Sequence, residues 1–258
     1  MLKLEPTKRF SSRVENYARF RPSYPREAIQ VLEVECGLTP TTVVADIASG
    51  TGLFTRLLLE NGNPVFGVEP NPDMRRAGEE FLAEFPNFVS RDGTAEHTTL
   101  PDHSIDLITC AQAAHWFDRD QAIQEFERIL KPGGYLVLLW NDRRIEGSVL
   151  GTDYERMVTQ YGTDYAEVRR RDQASGDFFG PLPRGKRVLG NHQDLDFDAL
   201  RGRLLSSSYV PHPGEPGHRP MLAELRRIFE IHQHAGHVRM EYDTKIYFGK
   251  LSAQSQET

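Results

Sequence analysis

Residues 43–62, VVADIASGTGLFTRLLLENG, set the strongest limit on what this chain can become. A short apolar run reaches Asp46, passes through a loop of small residues, and restarts as an amphipathic stretch that Gly62 can end. The loop reads Asp46-Ile47-Ala48-Ser49-Gly50-Thr51-Gly52. Small residues at 48, 50 and 52 let the backbone turn sharply and approach a ligand with no bulky side chain between them. The spacing differs from the G-x-G-x-x-G of dinucleotide sites, because Leu53 stands where the third glycine would be. No Gly-Lys-Ser/Thr phosphate loop is present either. The loop therefore suits a nucleoside-like ligand better than a pyrophosphate.

The same strand-then-helix rhythm continues to residue 142. TTVVADI, PVFGVEP, NFVSRDG, SIDLITCAQ and YLVLLWND read as five strands. Between or before them, PREAIQVLEVECG, TGLFTRLLLENG, NPDMRRAGEEFLAEF and DRDQAIQEFERILKPGG read as helices. The third has Asn71 as N-cap and Pro72 at its first position, with Met74, Ala77, Phe81 and Phe85 expected along its buried face. Alternation of this kind means right-handed crossovers and a parallel sheet covered on both faces, an α/β doubly wound fold. Ligands of such sheets sit outside the carboxyl ends of the strands. Glu69 occupies one such end, 17 residues after Gly52. Its carboxylate can accept both hydroxyls of a ribose, at about 1.5–3 kcal/mol per charged hydrogen bond. Thr94, Ala95 and Glu96, after the third strand, stand next around the ligand.

After residue 142 the rhythm breaks. SVLGTDYERMVTQYG and DYAEVRRRD look helical, ASGDFFGPLPRGK is expected as a loop, and RVLGNHQDLD as a strand. FDALRGRLLSS and RPMLAELRRIFEIHQHAG follow as helices. HVRMEYDTKIYFGKL alternates apolar and polar residues, which predicts a half-exposed strand joining the sheet antiparallel to a neighbour. Residues 1–9 and the tail SAQSQET are expected to fray.

The 258 residues suit one domain, and a formal net charge of −6 does not advertise a nucleic-acid or membrane partner. The triplet Arg169-Arg170-Arg171, between Glu167 and Asp172, is expected as a solvated helix face. No apolar run approaches the ~18–20 residues of a membrane span, and MLKLEPTKRF lacks a signal-peptide core. Cys36 and Cys110 read as reduced, buried thiols. Together these features predict a cytoplasmic protein without stable membrane association. His232, His234 and His237 lack a matching second set of ligands, so no metal is expected.

The segments DIASGTGLFT, GVEPNPDM, GTAEHTTLPDHSIDLITCAQAAHWFD and LKPGGYLVLLWN together resemble the class I S-adenosylmethionine-dependent methyltransferases. FSSRVENYARFRPSYP and LLSSSYVP are similar to a small-molecule branch that includes trans-aconitate methyltransferase. The resemblance implies a seven-stranded, mostly parallel, Rossmann-like sheet with a helical cap inserted after the fifth strand. It implies a lid over 10–36, a cofactor-binding core over 40–142, a cap over 143–185, and a segment 186–251 completing the sheet. It also implies S-adenosyl-L-methionine as cofactor. Ala48, Ser49, Gly50, Thr51 and Gly52 would wrap its methionine and ribose part, with Asp46 closing the loop from beneath. Glu69 would hold the ribose, Pro70 and Met74 the adenine side, and Thr94, Ala95 and Glu96 the adenine edge. Ala111 and Gln112 would pass under the sulfonium. Two positions depart from the family: Ala48 replaces the usual first glycine, and Thr94 stands where an adenine-binding Asp is common.

The acceptor is expected at the mouth after the fourth strand, where His115 and Trp116 lie, with His115 the nearest plausible base. Tyr17 and Arg21, also expected to bind the acceptor, can close over the cofactor from the N-terminal side, and Arg143, Arg144, Tyr154, Tyr161, Tyr165, Tyr209 and His212 can reach from the cap and beyond. The arginines suit a carboxylate, and the absence of an Asn/Asp-Pro-Pro-Tyr/Phe motif argues against an adenine-N6 or glutamine acceptor. The expected function is methyl transfer to a small molecule, at a carboxylate or hydroxyl oxygen, by a monomer or homodimer. Carbon methylation of a quinone or lipid, or a non-catalytic module that binds the cofactor, are the alternatives.

Overall fold

The computed structural model describes residues 14–174, 178–179 and 184–251, with the side chains of Glu15, Ala18 and 170–174 excepted. The expected frayed ends, most of the loop ASGDFFGPLPRGK, and the side chains of Arg170 and Arg171 lie outside the described residues. Helices α1 (Val14–Phe20) and α2 (Glu27–Cys36) lead into β1 (Val44–Ile47), and Gly37 ends α2 in the left-handed conformation, φ 70°. The core continues as α3 (Leu53–Glu60), β2 (Val65–Val68), α4 (Pro72–Phe81), β3 (Phe88–Arg91), β4 (Ile105–Ala111), α5 (Arg119–Ile129) and β5 (Leu130–Arg143). Then follow α6 (Val149–Tyr161), α7 (Tyr165–Ala174), β6 (Arg184–Leu195), α8 (Phe197–Leu205), α9 (His218–His232) and β7 (Val238–Gly249).

The seven strands form one sheet in the order β3-β2-β1-β4-β5-β7-β6. Strands β1 to β5 pair in parallel, whereas β7 runs antiparallel to both β5 and β6. Side-chain alternation divides the interior. Val44, Val137 and Leu139 pack under α2 and α3, whereas Ala45, Leu136 and Leu138 face Ala122 and Phe126 of α5, with Phe178 and Phe179. A third cluster joins Tyr154 and Met157 of α6, Leu200 and Leu204 of α8, Met221 and Leu225 of α9, and Val238, Met240 and Tyr242 of β7.

Two boundaries differ from expectation. Helix α5 stops at Ile129, and Leu130 already pairs with Ile105 before the register shifts at Leu107 and Tyr135. Pro132 disfavours helical backbone at the residue before it. Helix α4 ends at Phe81 and buries Met74 and Gly78, with Leu82 just beyond, while Phe81 stays 38% exposed. Positions 74, 78 and 82 share one helical face, and the Phe81 ring instead lies under the Arg56 guanidinium at 5.2 Å. Among the described residues, no helix is long and apolar enough to cross a membrane.

Candidate functional site

The strand order reverses between β1 and β4, and two clefts open there, over the carboxyl ends of the parallel strands. They share Tyr17, Ala48, Gly50, Ala111 and Gln112 as common wall. The larger has about 780 Å³ of space, part of it open to solvent. Its lining joins Glu69, Pro70 and Met74 to Thr94, Ala95 and Glu96, and to Trp116. The smaller, about 450 Å³, adds Ser49 and Thr51 with Arg21. Residues from six separate segments, Asn141 of β5 among them, thus meet at one place.

Glu69 is 7% exposed and is held at both oxygens: Gly50 N donates to Oε2 at 2.9 Å and Asn71 N to Oε1 at 2.9 Å. Burial raises its pKa, and the two backbone donors only partly offset that effect. Each carboxylate oxygen keeps acceptor capacity toward the cleft. The Asn71 side chain caps α4 by accepting from Asp73 N and Met74 N, which fixes the turn that presents Glu69.

Asp46 lines neither cleft. It lies beneath the loop, accepting from Thr55 Oγ1 at 2.6 Å and Thr109 Oγ1 at 2.7 Å, and so ties β1 to α3 and β4. Burial pushes its pKa up to about 6 against the pull of those two hydroxyls.

The loop is strained where it meets the cleft. Ala48 has φ 54° and Gln112, at the end of β4, has φ 63°. Left-handed backbone at non-glycine residues costs of order 1–3 kcal/mol and clusters at functional sites. Gln112 is held there by its N–H to Leu139 O at 2.8 Å and its Nε2 to Asn141 O at 3.2 Å. Gly50 and Gly52 also have positive φ, 58° and 85°, but differ in surroundings. A Cβ at Gly50 would meet Met74 Cε at 3.3 Å, at the cleft wall, whereas at Gly52 it would strike Leu82 Cδ1 at 2.7 Å, in the interior. The room for a side chain at Gly52 is therefore closed by packing against Leu82 rather than by the cleft.

The far wall is pinned by Glu125, whose Oε1 accepts from Thr98 N and Thr98 Oγ1 at 2.7 and 2.6 Å while Arg128 clasps both its oxygens. Burial raises that carboxyl, but the Arg128 and Thr98 hydrogen bonds prevail and hold it at about 2. Glu96 Oε1 accepts from Asp118 N at 2.9 Å, linking this wall to the start of α5. On the β4 side, Ala113, Trp116 and Phe117 face the cleft. His115 stacks against Trp116 with ring centroids 4.6 Å apart and is outside the lining.

Arg143 and Tyr209 lie apart from both clefts. Arg143 is buried, bonded to Glu155 and to Tyr165 Oη, with its Cζ 4.5 Å above the Tyr154 ring. Tyr209 stacks on Tyr165 at 4.7 Å. Burial pushes the Tyr209 phenol up, but the guanidiniums of Arg143, Arg203 and Arg21 outweigh it and leave it below the ordinary tyrosine range. Arg144 pairs with Asp243 at 2.5 Å. Tyr154, expected at the acceptor mouth, is fully buried in the C-terminal cluster. Among the described residues, no cluster of three or more His, Cys, Asp or Glu is placed to hold a metal.

Asn71, Ala113, Phe117, Tyr24 and Asn141 also line the clefts without having been singled out as ligand residues. Phe117 and Ala113 lie within AQAAHWFD, so the segment pointed to the site while its individual facings did not.

Residues 45–138 match the family described as a methyltransferase domain. An uncharacterised methyltransferase of Mycobacterium tuberculosis is 41% identical over 153 residues, covering 56% of this chain and 59% of its own length. An uncharacterised methyltransferase-like protein of Schizosaccharomyces pombe is 35% identical over 137 residues, 53% of this chain and 52% of its own. The aligned part thus spans less of these curated relatives than two thirds of their length, between 52% and 59%. A solved structure of a candidate type II methyltransferase from Anaeromyxobacter dehalogenans shares the fold, with a TM-score of 0.69 at 23% identity over 90% of this chain and 98% of that one. The matched domain, residues 45–138, takes in the strained loop and Glu69.

Proposed function

We propose that the chain binds S-adenosylmethionine across the Gly-rich loop and transfers its methyl group to a small-molecule acceptor, at a carboxylate or hydroxyl oxygen. The observation that carries this reading is Glu69, buried and pinned by the Gly50 and Asn71 N–H groups beside an apolar wall of Pro70, Met74 and Phe117. A carboxylate so held accepts paired ribose hydroxyls, and the wall accommodates a flat base. The residues present therefore fit the nucleoside chemically.

When bound, the cofactor supplies a methyl group on a sulfonium, an excellent leaving group, so the protein's share is proximity and orientation. The Ala111-Gln112 backbone, locked in its left-handed turn, sets the floor on which the acceptor meets the methyl carbon. Tyr17, on both clefts, covers it from α1, in keeping with a lid over 10–36. An ionised acceptor oxygen needs no base, and His115, behind Trp116, serves in this reading to position that ring. Calorimetry with S-adenosylhomocysteine tests the cofactor, and a labelled-methyl screen against acids, phenols and quinones tests the acceptor. Micromolar binding with turnover on an acid supports the reading. Turnover on quinones alone moves it to carbon methylation, and binding without any turnover moves it to a non-catalytic module.

A further inference from the structure

The sheet ends at β6, and its outer edge is open. Arg144 N donates to Glu241 O at 2.9 Å, so the odd-numbered residues of β7 turn their backbone groups toward β5 and the even-numbered ones toward β6. Tyr242 lies opposite Asn191. The odd-numbered residues of β6 therefore bond β7, and the even-numbered ones turn N–H and C=O outward. Two of these outward groups are satisfied locally: Lys186 O accepts from Arg187 Nη1 at 2.9 Å, and His192 N donates to Asn191 Oδ1 at 2.9 Å. Among the described residues, the outward groups of Val188 and Gly190, the Lys186 N–H and the His192 C=O have no partner. Long edges are commonly blunted by a bulge, a proline or charge, and the stretch Val188-Leu189-Gly190 has none of these.

The side chains above that edge leave a gap in one place. Val188 is 50% exposed, and Gly190 has open space where a Cβ would stand, with no left-handed backbone to call for a glycine. A glycine inside a strand often marks the close approach of another backbone. An antiparallel copy of β6, related by a two-fold axis at Leu189, sets Val188 against Gly190 and Lys186 against His192. Each of the open N–H groups then meets an open C=O. The two groups already satisfied, Lys186 O and His192 N, fall opposite each other. The exposed valine covers the space above the other copy's glycine, and Arg184 stands opposite Asp194, of opposite charge. We propose that β6 pairs with β6 of a second copy of this chain about that axis, joining the two sheets edge to edge. The odd-numbered side chains keep their present contacts in the pair. Leu189 stays packed against the core under α2, Asn191 Nδ2 on Ser23 O at 2.7 Å and Gln193 Nε2 on Phe20 O at 3.1 Å. The pairing asks nothing of the cofactor site, and it holds or fails independently of it.

Sedimentation velocity on the full chain tests it. The unaltered protein should dimerise as its concentration rises through the micromolar range. Val188→Pro removes an outward N–H without taking a hydrogen bond from the β6–β7 ladder, and should weaken the dimer roughly tenfold or more. Gly190→Lys adds a side chain into open space in its own chain and sets it against Val188 of the other copy. It should weaken the dimer in the same sense, with an unchanged melting temperature. Leu189→Cys reads the register, because a non-hydrogen-bonded pair on the axis puts the two sulfurs within disulfide reach. Mild oxidation should link two copies of that variant, whereas the unaltered protein, with Cys36 and Cys110, stays unlinked. A protein that stays monomeric throughout that range overturns the pairing. So does a dimer that keeps its strength in Gly190→Lys, or one that Leu189→Cys does not link. If Val188→Pro unfolds, Gly190→Lys, with open space around it, decides.

Discussion

The parallel half of the sheet and the C-terminal half both bury polar groups, and they do so to opposite effect. At the carboxyl end of β2, a buried polar group is held on one side by the backbone and left with capacity on the other. That group is Glu69, with two N–H donors behind it and a cleft in front. In the C-terminal half the groups are turned on one another: Arg143 on Glu155 and Tyr165, Arg203 on Tyr242 and Ser207, and Tyr242 on Gln193. Burial of charge alone does not mark a site. What marks it is burial combined with a direction the protein leaves open.

Four substitutions can break or sharpen that contrast. The largest effect should come from Arg143→Met, which leaves Glu155 half-buried beside Tyr165 without its cation. Loss of one partner of a buried pair costs about 3–5 kcal/mol, and the 22% exposure of Glu155 puts the expected loss near the lower end, about 3 kcal/mol. Urea unfolding should show that loss while the affinity for S-adenosylhomocysteine stays unchanged; a parallel loss of affinity would make Arg143 part of the site after all.

Asp46 should give the next largest signal, through pH. Its folded pKa of about 6 lies above that of an ordinary aspartate, so the folded state keeps the proton longer than the unfolded one. The associated stability is fully present below about pH 4 and is lost as pH rises to about 6, about 3 kcal/mol for about two pKa units. Asp46→Asn has no such titration. The difference in unfolding free energy between the two proteins should therefore shift by roughly that amount from pH 4 to pH 7, in favour of the variant. A difference independent of pH removes the strained carboxylate from beneath the loop.

Glu69→Ala should weaken S-adenosylhomocysteine roughly ten- to a hundredfold by calorimetry, the cost of losing charge-assisted hydrogen bonds. Unchanged affinity would move the ribose elsewhere. The smallest effect belongs to Ala48→Gly. Relief of a left-handed alanine should raise stability by about 1 kcal/mol or a little less, since glycine also loosens the unfolded chain. Chemical denaturation resolves a change of that size, and a destabilised variant would mean that the Ala48 methyl group packs more than it strains.

Much of the core was legible because its signals are local. The period-two and period-3.6 patterns placed β1 to β5 and their helices, and Asn71-Pro72 placed the start of α4. Glu69 was legible because a strand end followed by a cap puts its carboxylate at the sheet's carboxyl edge. The face of α4 was misassigned by one residue: Leu82, not Phe81, turns inward, because the next helical turn is counted from Met74 and Gly78. That a side chain at Gly52 would strike the interior was not legible, since the neighbour that decides it, Leu82, comes from another element.

The sequence by itself determined the alternating fold, the loop and the carboxylate at its edge, because each depends on residues within a few positions of one another. Tertiary structure alone decided which arginine meets a cleft. Arg21 and Arg143 are both guanidiniums near element ends, indistinguishable along the chain. Arg21 lines the cleft because α1 docks beside α8, and Arg143 is turned away because α6 brings Glu155 against it. Those contacts join residues 185 and 12 positions apart, and no local pattern encodes where two separately folded elements will meet.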